Sequence, residues 1–252
     1  MKLESLLQYM DAYLGTAAHP DYPQACNGLQ VGGRRDVRLI AAAVDASEAS
    51  IRRAVELDAD ILIVHHGLFW NGSAPLTGRL LRRVAPLVES GTALYSSHLP
   101  LDAHVEVGNN ALLCRALGIQ TEGRFDVFEG VAIGWHGRLE PAVDPSGLAR
   151  LLERAVGGPV RIVPGGPERI ERVGVVTGAG ASALAEAAAL ELHALVTGEC
   201  QHHHYFDAME LGVHLILGGH YATETFGVRA LADHVAGRFG LRSSFVDLPT
   251  GL

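Results

Sequence analysis

The chain has 252 residues, 48% of them hydrophobic but only 6% aromatic, and a formal net charge of −8. That length suffices for one large or two modest domains with real cores, and the wealth of Ala, Leu, Val and Gly fits a helix-rich α/β protein better than an all-β one. The negative charge argues against a general nucleic-acid coat and against an anionic-membrane binder.

Three widely spaced cysteines (Cys26, Cys114, Cys200) form no CxxC, which argues against a disulfide framework and a thiolate zinc site. No apolar run approaches the roughly 20 residues of a membrane span, and Met1–Ser5 opens an amphipathic pattern, not a signal sequence. A soluble cytoplasmic protein is expected. The one unusual count is 13 histidines.

In chain order, Leu3, Leu6, Leu7, Met10 and Leu14 fall at helical spacing, closed by Gly15. A Pro- and Gly-punctuated loop, His19 to Gly33, contains Asn27-Gly28-Leu29-Gln30-Val31-Gly32. Leu39–Asp45 reads as a buried strand ending in a carboxylate, and Ser47 caps a helix packing Ile51, Ala54 and Val55. Ile61-Leu62-Ile63-Val64 is a strand buried on both faces, and it runs straight into His65-His66-Gly67. A right-handed crossover then brings Asp45 and His65 to the same sheet edge.

After a loop from Leu68 to Gly78 comes a helix around Arg79–Glu89, then a strand Ala93–His98. Leu99–His104 is expected to be loop because Pro100 opposes a helix. Asn109 or Asn110 then caps a helix ending at Gly118. Short strands are expected at Val127–Glu129 and Val131–Trp135, a helix at Pro145–Val156, and a strand at Val160–Val163.

The second half repeats the first: strand Arg172–Thr177, helix Ala181–Leu192, strand Ala194–Glu199. From Asp45 to His65 is 20 residues, as it is from Thr177 to Thr197. Leu215–His220 matches Leu94–His98 in form, and a carboxylate follows each histidine by four residues, Asp102 and Glu224. This points to an internal duplication with modules 1–123, carrying the His-His strand, and 124–252, carrying His220-x-x-x-Glu224.

Open α/β sheets present their chemistry at the carboxyl ends of strands. His65, His66, Asp102, His220 and Glu224 fall at such ends, and imidazole with carboxylate suits a divalent metal of borderline hardness. Neighbours on an extended segment point in opposite directions, so His65 and His66 are expected to serve two ions rather than chelate one.

Plainer readings exist for each. Asp102 can cap the turn after Pro100, Glu224 can compensate a helix dipole, and His98 can bond at the sheet edge. His202-His203-His204 reads as solvated surface. Gly178-Ala179-Gly180 is too short for a dinucleotide fingerprint, and no P-loop or nucleophile elbow is present.

Taken together, Val64–Trp70, Ser97–His104 with Gly108-Asn109-Asn110, Thr197-Gly198-Glu199, Gly219–Glu224 and the Asn27–Gly32 segment resemble the bacterial dinuclear-metal-centre family known as GTP cyclohydrolase I type 2, or NIF-three-like. The similarity runs nearly end to end. It implies two similar, intertwined three-layer α/β/α modules and a hexameric ring. It also implies two divalent ions per subunit held by His65, His66, Asp102, His220 and Glu224, with no role transferred to His202–His204.

N/O ligands admit zinc, manganese, iron, cobalt or nickel. The expected activity is hydrolysis of a small nucleotide-like substrate, with hydroxide attack at guanine C8 and release of formate. His98 and Glu199 are the candidates to shuttle protons, on strand-end placement. The alternatives are a metal-dependent phosphoesterase and a non-catalytic metal-binding adaptor ring.

Overall fold

The computed structural model describes residues 1–33, 36–72 and 74–252; Ser73, inside the expected Leu68–Gly78 loop, lies outside them. The first elements are α1 (Leu3–Leu14), β1 (Gly28–Val31), β2 (Leu39–Asp45), α2 (Glu48–Glu56), β3 (Ile61–His66), α3 (Gly78–Ser90), β4 (Ala93–Ser96) and α4 (Leu99–Asp102). Next come α5 (Asn109–Leu117), β5 (Gln120–Phe128), β6 (Val131–Val143), α6 (Pro145–Val156), β7 (Arg161–Val163) and β8 (Ile170–Val175). The chain finishes with α7 (Leu184–Ala189), β9 (Ala194–Thr197), α8 (His204–Leu211), β10 (His214–Leu217), α9 (His220–Thr223), α10 (Thr225–Phe239) and β11 (Arg242–Phe245).

These elements form two compact units: Met1–Leu101 with Gly227–Leu248, and Asp102–Phe226 with Pro249–Leu252. The chain therefore passes from the first unit to the second, back to the first, and ends in the second. Arg124, the boundary expected from sequence, lies inside β5, whose ladder with β6 runs from Gln120↔Arg138 to Phe128↔Val131.

The first unit holds a five-stranded sheet in the order β1-β4-β3-β2-β11. All neighbours are parallel except β1, which pairs antiparallel with β4. Ile61, Leu62, Ile63 and Val64 are all fully buried, which explains an uninterrupted aliphatic run in place of alternation. At roughly 1.5–3 kcal/mol per large side chain buried, this strand is a principal source of stability. Leu62 and Val64 join a core with Ile51 and Ala54 of α2 and Leu87 of α3.

In the second unit the order is β5-β6-β8-β9-β10-β7. Alternate residues of its parallel strands feed two cores. Val173, Val175, Val196 and Ile216 pack with α5 and α6, whereas Leu195, Leu215 and Leu217 pack with α7 and α8. That is a three-layer α/β/α arrangement. The two units share one plan: three adjacent parallel strands (β2-β3-β4 and β8-β9-β10), with an antiparallel strand on the third (β1 on β4, β7 on β10).

Several local expectations are corrected. Leu99–Asp102 is a helical turn, not loop, because Pro100 sits in its first turn, where the missing N–H has no helical partner to lose. Gly108, not an asparagine, caps α5; the two asparagines lie inside the helix, with other work for their amides. The short strands after Arg124 are one hairpin with a 13-residue second strand. The helix expected over Ala181–Leu192 is a 3-10 turn, Gly180–Ala183, followed by six α-helical residues. The run His202–His204 ends inside a helix, since His204 opens α8. Among the described residues, no helix is long and apolar enough to cross a membrane.

Candidate metal centre

In the first unit, β3 delivers His65 and His66 at its carboxyl end, and His98 follows β4 by two residues. Each imidazole is held by its Nδ1. His65 donates to the Ser97 carbonyl at 3.0 Å, His66 to Asp45 Oδ1 at 2.9 Å, and His98 to Asp21 Oδ1 at 2.9 Å. A carbonyl or carboxylate accepts only from an N–H, so each ring, when neutral, carries its lone pair on Nε2.

Ligand atoms of the three lie within 4.8 Å of one another, and the His65 and His66 rings are only 4.7 Å apart. The strict alternation expected for these neighbours is relaxed, because Asp45↔His66 is the last pair of the β2–β3 ladder and the pleat ends there.

The segment Asn27–Gly32 supports this cluster. Asn27 Oδ1 accepts the His98 backbone N–H at 2.8 Å, and its Nδ2 donates to Asp21 Oδ2 at 2.7 Å. The Leu99 N–H also donates to Asp21, at 2.9 Å. Burial alone would raise the Asp21 pKa, but the hydrogen bond and charge of His98, with Asn27 and Leu99, hold it below its ordinary value. Gln30 Oε1 accepts from Leu68 N at 2.8 Å, and a Cβ on Gly67 would stand 2.1 Å from the Gln30 amide. Only glycine lets that amide close over the end of β3.

In the second unit, Asp102 Oδ1 accepts from Asn109 Nδ2 at 2.8 Å and from the Thr177 hydroxyl at 3.4 Å. Asn110, fully buried, donates to the Asp102 carbonyl at 3.3 Å and accepts the Thr177 N–H at 2.7 Å. Thr177 leads into Gly178, whose φ is +64°; a Cβ there would lie 2.1 Å from Glu224 Oε1 and 3.3 Å from His220 Nε2. The space filled by these two side chains thus requires a glycine.

His220 opens α9, and its Nδ1 donates to Glu199 Oε1 at 2.9 Å while its Nε2 lies 3.2 Å from Glu224 Oε2. Burial would lower the His220 pKa, but the bonds and charges of Glu224 and Glu199 outweigh it and raise it to about 9. Glu199, a candidate proton shuttle from sequence, therefore has one oxygen committed to orienting His220.

The donor set fits borderline divalent metals. It offers imidazole nitrogen and carboxylate oxygen, with the Nδ1 of His65, His66, His98 and His220 each backed by an oxygen, the usual support for a metal-binding imidazole. Asp21 and Asp45 were not recognised as supports from sequence. Asp45 had a signal, as the carboxylate ending β2; Asp21, in an irregular loop, had none. His203, His204 and Asp207 also approach one another in the second unit, but there His204 Nδ1 accepts the Gln201 backbone N–H at 3.0 Å.

Residues 1–249 match the model of the family described as Duf34/NIF3 (NGG1p interacting factor 3). A Deinococcus radiodurans protein named GTP cyclohydrolase 1 type 2 homolog is 42% identical over 249 residues, covering 99% of this chain and 94% of that protein. An Archaeoglobus fulgidus protein of the same name is 40% identical, with both chains fully covered. The solved structure of TTHA1606 from Thermus thermophilus superposes with a TM-score of 0.92 at 43% identity, each chain fully covered.

Proposed function

The chain belongs to the Duf34/NIF3 family, and on that premise we propose that it is a dinuclear metal-dependent hydrolase acting on a nucleotide-like substrate. The proposed ligands of two divalent ions of the zinc, manganese, iron, cobalt or nickel group are His65, His66, Asp102, His220 and Glu224. The observation that carries this reading is the common backing of four imidazoles. Ser97, Asp45, Asp21 and Glu199 each accept a hydrogen bond from Nδ1, so each ring, once neutral, carries its lone pair on Nε2. The names of the relatives support the finer assignment, hydroxide addition at guanine C8 with opening of the imidazole ring and loss of formate.

When bound, two such ions supply Lewis-acid charge and water acidified towards pKa 7. The residues do the rest. Asn109 and Thr177 hold Asp102 by Oδ1. Asp21 and Asn27 fix both the ring and the backbone of His98, which is suited to carrying a proton at Nε2 to or from the substrate. Glu199 holds His220 in the tautomer a ligand needs. Two ions would bring four positive charges and Asp102 and Glu224 return two; the supporting carboxylates Asp45, Asp21 and Glu199 offset the remainder. The family resemblance also supports a homohexameric ring working in the cytoplasm, with a small molecule, not nucleic acid, as partner.

Element-specific anomalous scattering on protein purified without chelator counts and identifies the ions, with two at these ligands expected. Metal-loaded protein is then assayed on a broad panel of nucleotides and nucleosides. Formate release, abolished by His65→Ala, is the expected result. Phosphate release in its place would convert the reading to phosphoester hydrolysis, and no turnover with an indifferent His65→Ala would end it.

A further inference from the structure

Helix α3 carries Arg79, Arg82 and Arg83, which its periodicity gathers on one side. Arg82 is accounted for, its Nε donating to Glu48 Oε2 at 3.1 Å. Arg79 and Arg83 have no carboxylate or hydrogen-bond partner among the described residues, and Arg83 Nε is sealed from solvent without one.

Three unfavourable electrostatic features of one sign meet here. Like charges four residues apart on a helix repel. Arg79 is the second residue of α3, whose first turn contains no acid, so its charge faces the positive end of the helix dipole. A partly desolvated guanidinium with no counter-ion is costly in itself. Burial and the charge of Arg79 accordingly lower the Arg83 pKa, and only Glu48 and Asp45 oppose them. Both of those acids are already engaged, Glu48 with Arg52 and Arg82 and Asp45 with His66. Because Asp45 is the carboxylate that orients His66, Arg83 stands within electrostatic reach of that end of the first-unit histidine cluster.

An anion with several oxygens would relieve all three features at once, and guanidinium forks match phosphoryl oxygens in bidentate fashion. Resting on the nucleotide reading above, we infer that Arg79 and Arg83 form a clamp for the phosphoryl groups of the substrate. Arg82, held by Glu48, lies outside the clamp and serves as its internal control.

The experiment measures binding of GTP, guanosine and inorganic triphosphate to the metal-loaded full chain, for wild type, Arg79→Gln/Arg83→Gln, Arg79→Lys/Arg83→Lys and Arg82→Gln. Circular dichroism melts and metal content verify that each variant is folded and loaded. The expected result is that the double glutamine variant weakens GTP and triphosphate at least tenfold and leaves guanosine unchanged. The lysine variant should recover part of the loss, and Arg82→Gln should behave as wild type. Unchanged GTP affinity in a folded double glutamine variant overturns the clamp while leaving the nucleotide reading in place; so does an equal loss in Arg82→Gln. If wild type binds neither GTP nor guanosine, the nucleotide reading falls, and triphosphate alone decides whether the two arginines are an anion site.

Discussion

Two sets of histidines in this molecule differ in the direction of one hydrogen bond. His65, His66, His98 and His220 each turn Nδ1 to an oxygen that can only accept. His204 does the reverse, its Nδ1 accepting the Gln201 N–H, and so do His104 towards Glu106 and Val107, and His193 towards Glu171. The direction of one hydrogen bond selects the tautomer. When neutral, rings of the first kind carry the lone pair on Nε2, whereas rings of the second kind spend theirs on the backbone and leave Nε2 protonated. His204, within a run of three histidines, thus offers a metal less than His65 and His66, which are backed by accepting oxygens.

The comparison breaks most directly at the proposed ligands. His66→Ala is expected to lose metal by more than the roughly 100-fold upper range for supporting residues, read as ions per subunit by elemental analysis; retained stoichiometry would remove His66 from the ligand set. Next in size is Gly178→Ala. Its Cβ would lie 2.1 Å from Glu224 Oε1 at a φ of +64°, so the carboxylate must move and the backbone is strained by about 1 kcal/mol or more. Weaker metal binding together with a lower Tm is the expected outcome. Asp45→Asn sharpens the contrast further. An amide can present its NH2 to His66 Nδ1 and favour the wrong tautomer, and a 10- to 100-fold loss of metal affinity is expected, with Glu48→Gln, on the neighbouring helix, as an unaffected control.

How far the sequence alone reached follows from the same physics. Ile61–Val64 was legible as a strand because burial on both faces leaves no polar residue in it, and the repeat was legible because both units use the same crossover spacing. The five proposed ligands were named from strand ends and resemblance. Their supports were not. Asp21 approaches His98 across 77 residues of chain from a loop without periodicity, and nothing local announces it. Strand β11 was missed because Arg242-Ser243-Ser244-Phe245 has neither alternation nor an apolar run, yet it pairs in parallel with β2. Asn109 and Asn110 were read as caps by residue type, while both amides are spent around Asp102.

A smaller effect concerns protons. His220 has a pKa of about 9 without metal, against an ordinary 6.5, so the folded chain holds that proton more tightly than the unfolded chain. The resulting stabilisation of metal-free protein is complete below pH 6.5 and is lost as pH rises through about 9, the sign expected for a raised histidine. A metal that takes Nε2 must displace the same proton, so binding near pH 7.5 should release about one proton from this residue. Calorimetric titrations in buffers of different ionisation enthalpy measure that release. Glu199→Gln should reduce it by removing one of the groups that raise the pKa.

The smallest expected effect is the most discriminating. His203→Ala and His204→Ala should change stability by no more than about 0.5 kcal/mol, as for ordinary surface positions, and should leave metal stoichiometry untouched. His203, His204 and Asp207 are near enough to one another to hold an ion, so proximity alone would forecast a loss. The tautomer argument forecasts none: His204 must first give up the Gln201 N–H, and its charge-bearing neighbour Asp207 lies in the first turn of α8, where a carboxylate is already stabilised by the helix dipole. If either substitution removed a bound ion from protein purified without chelator, spacing would outrank hydrogen-bond direction as the criterion for a ligand. The division between the two groups of histidines would then fail.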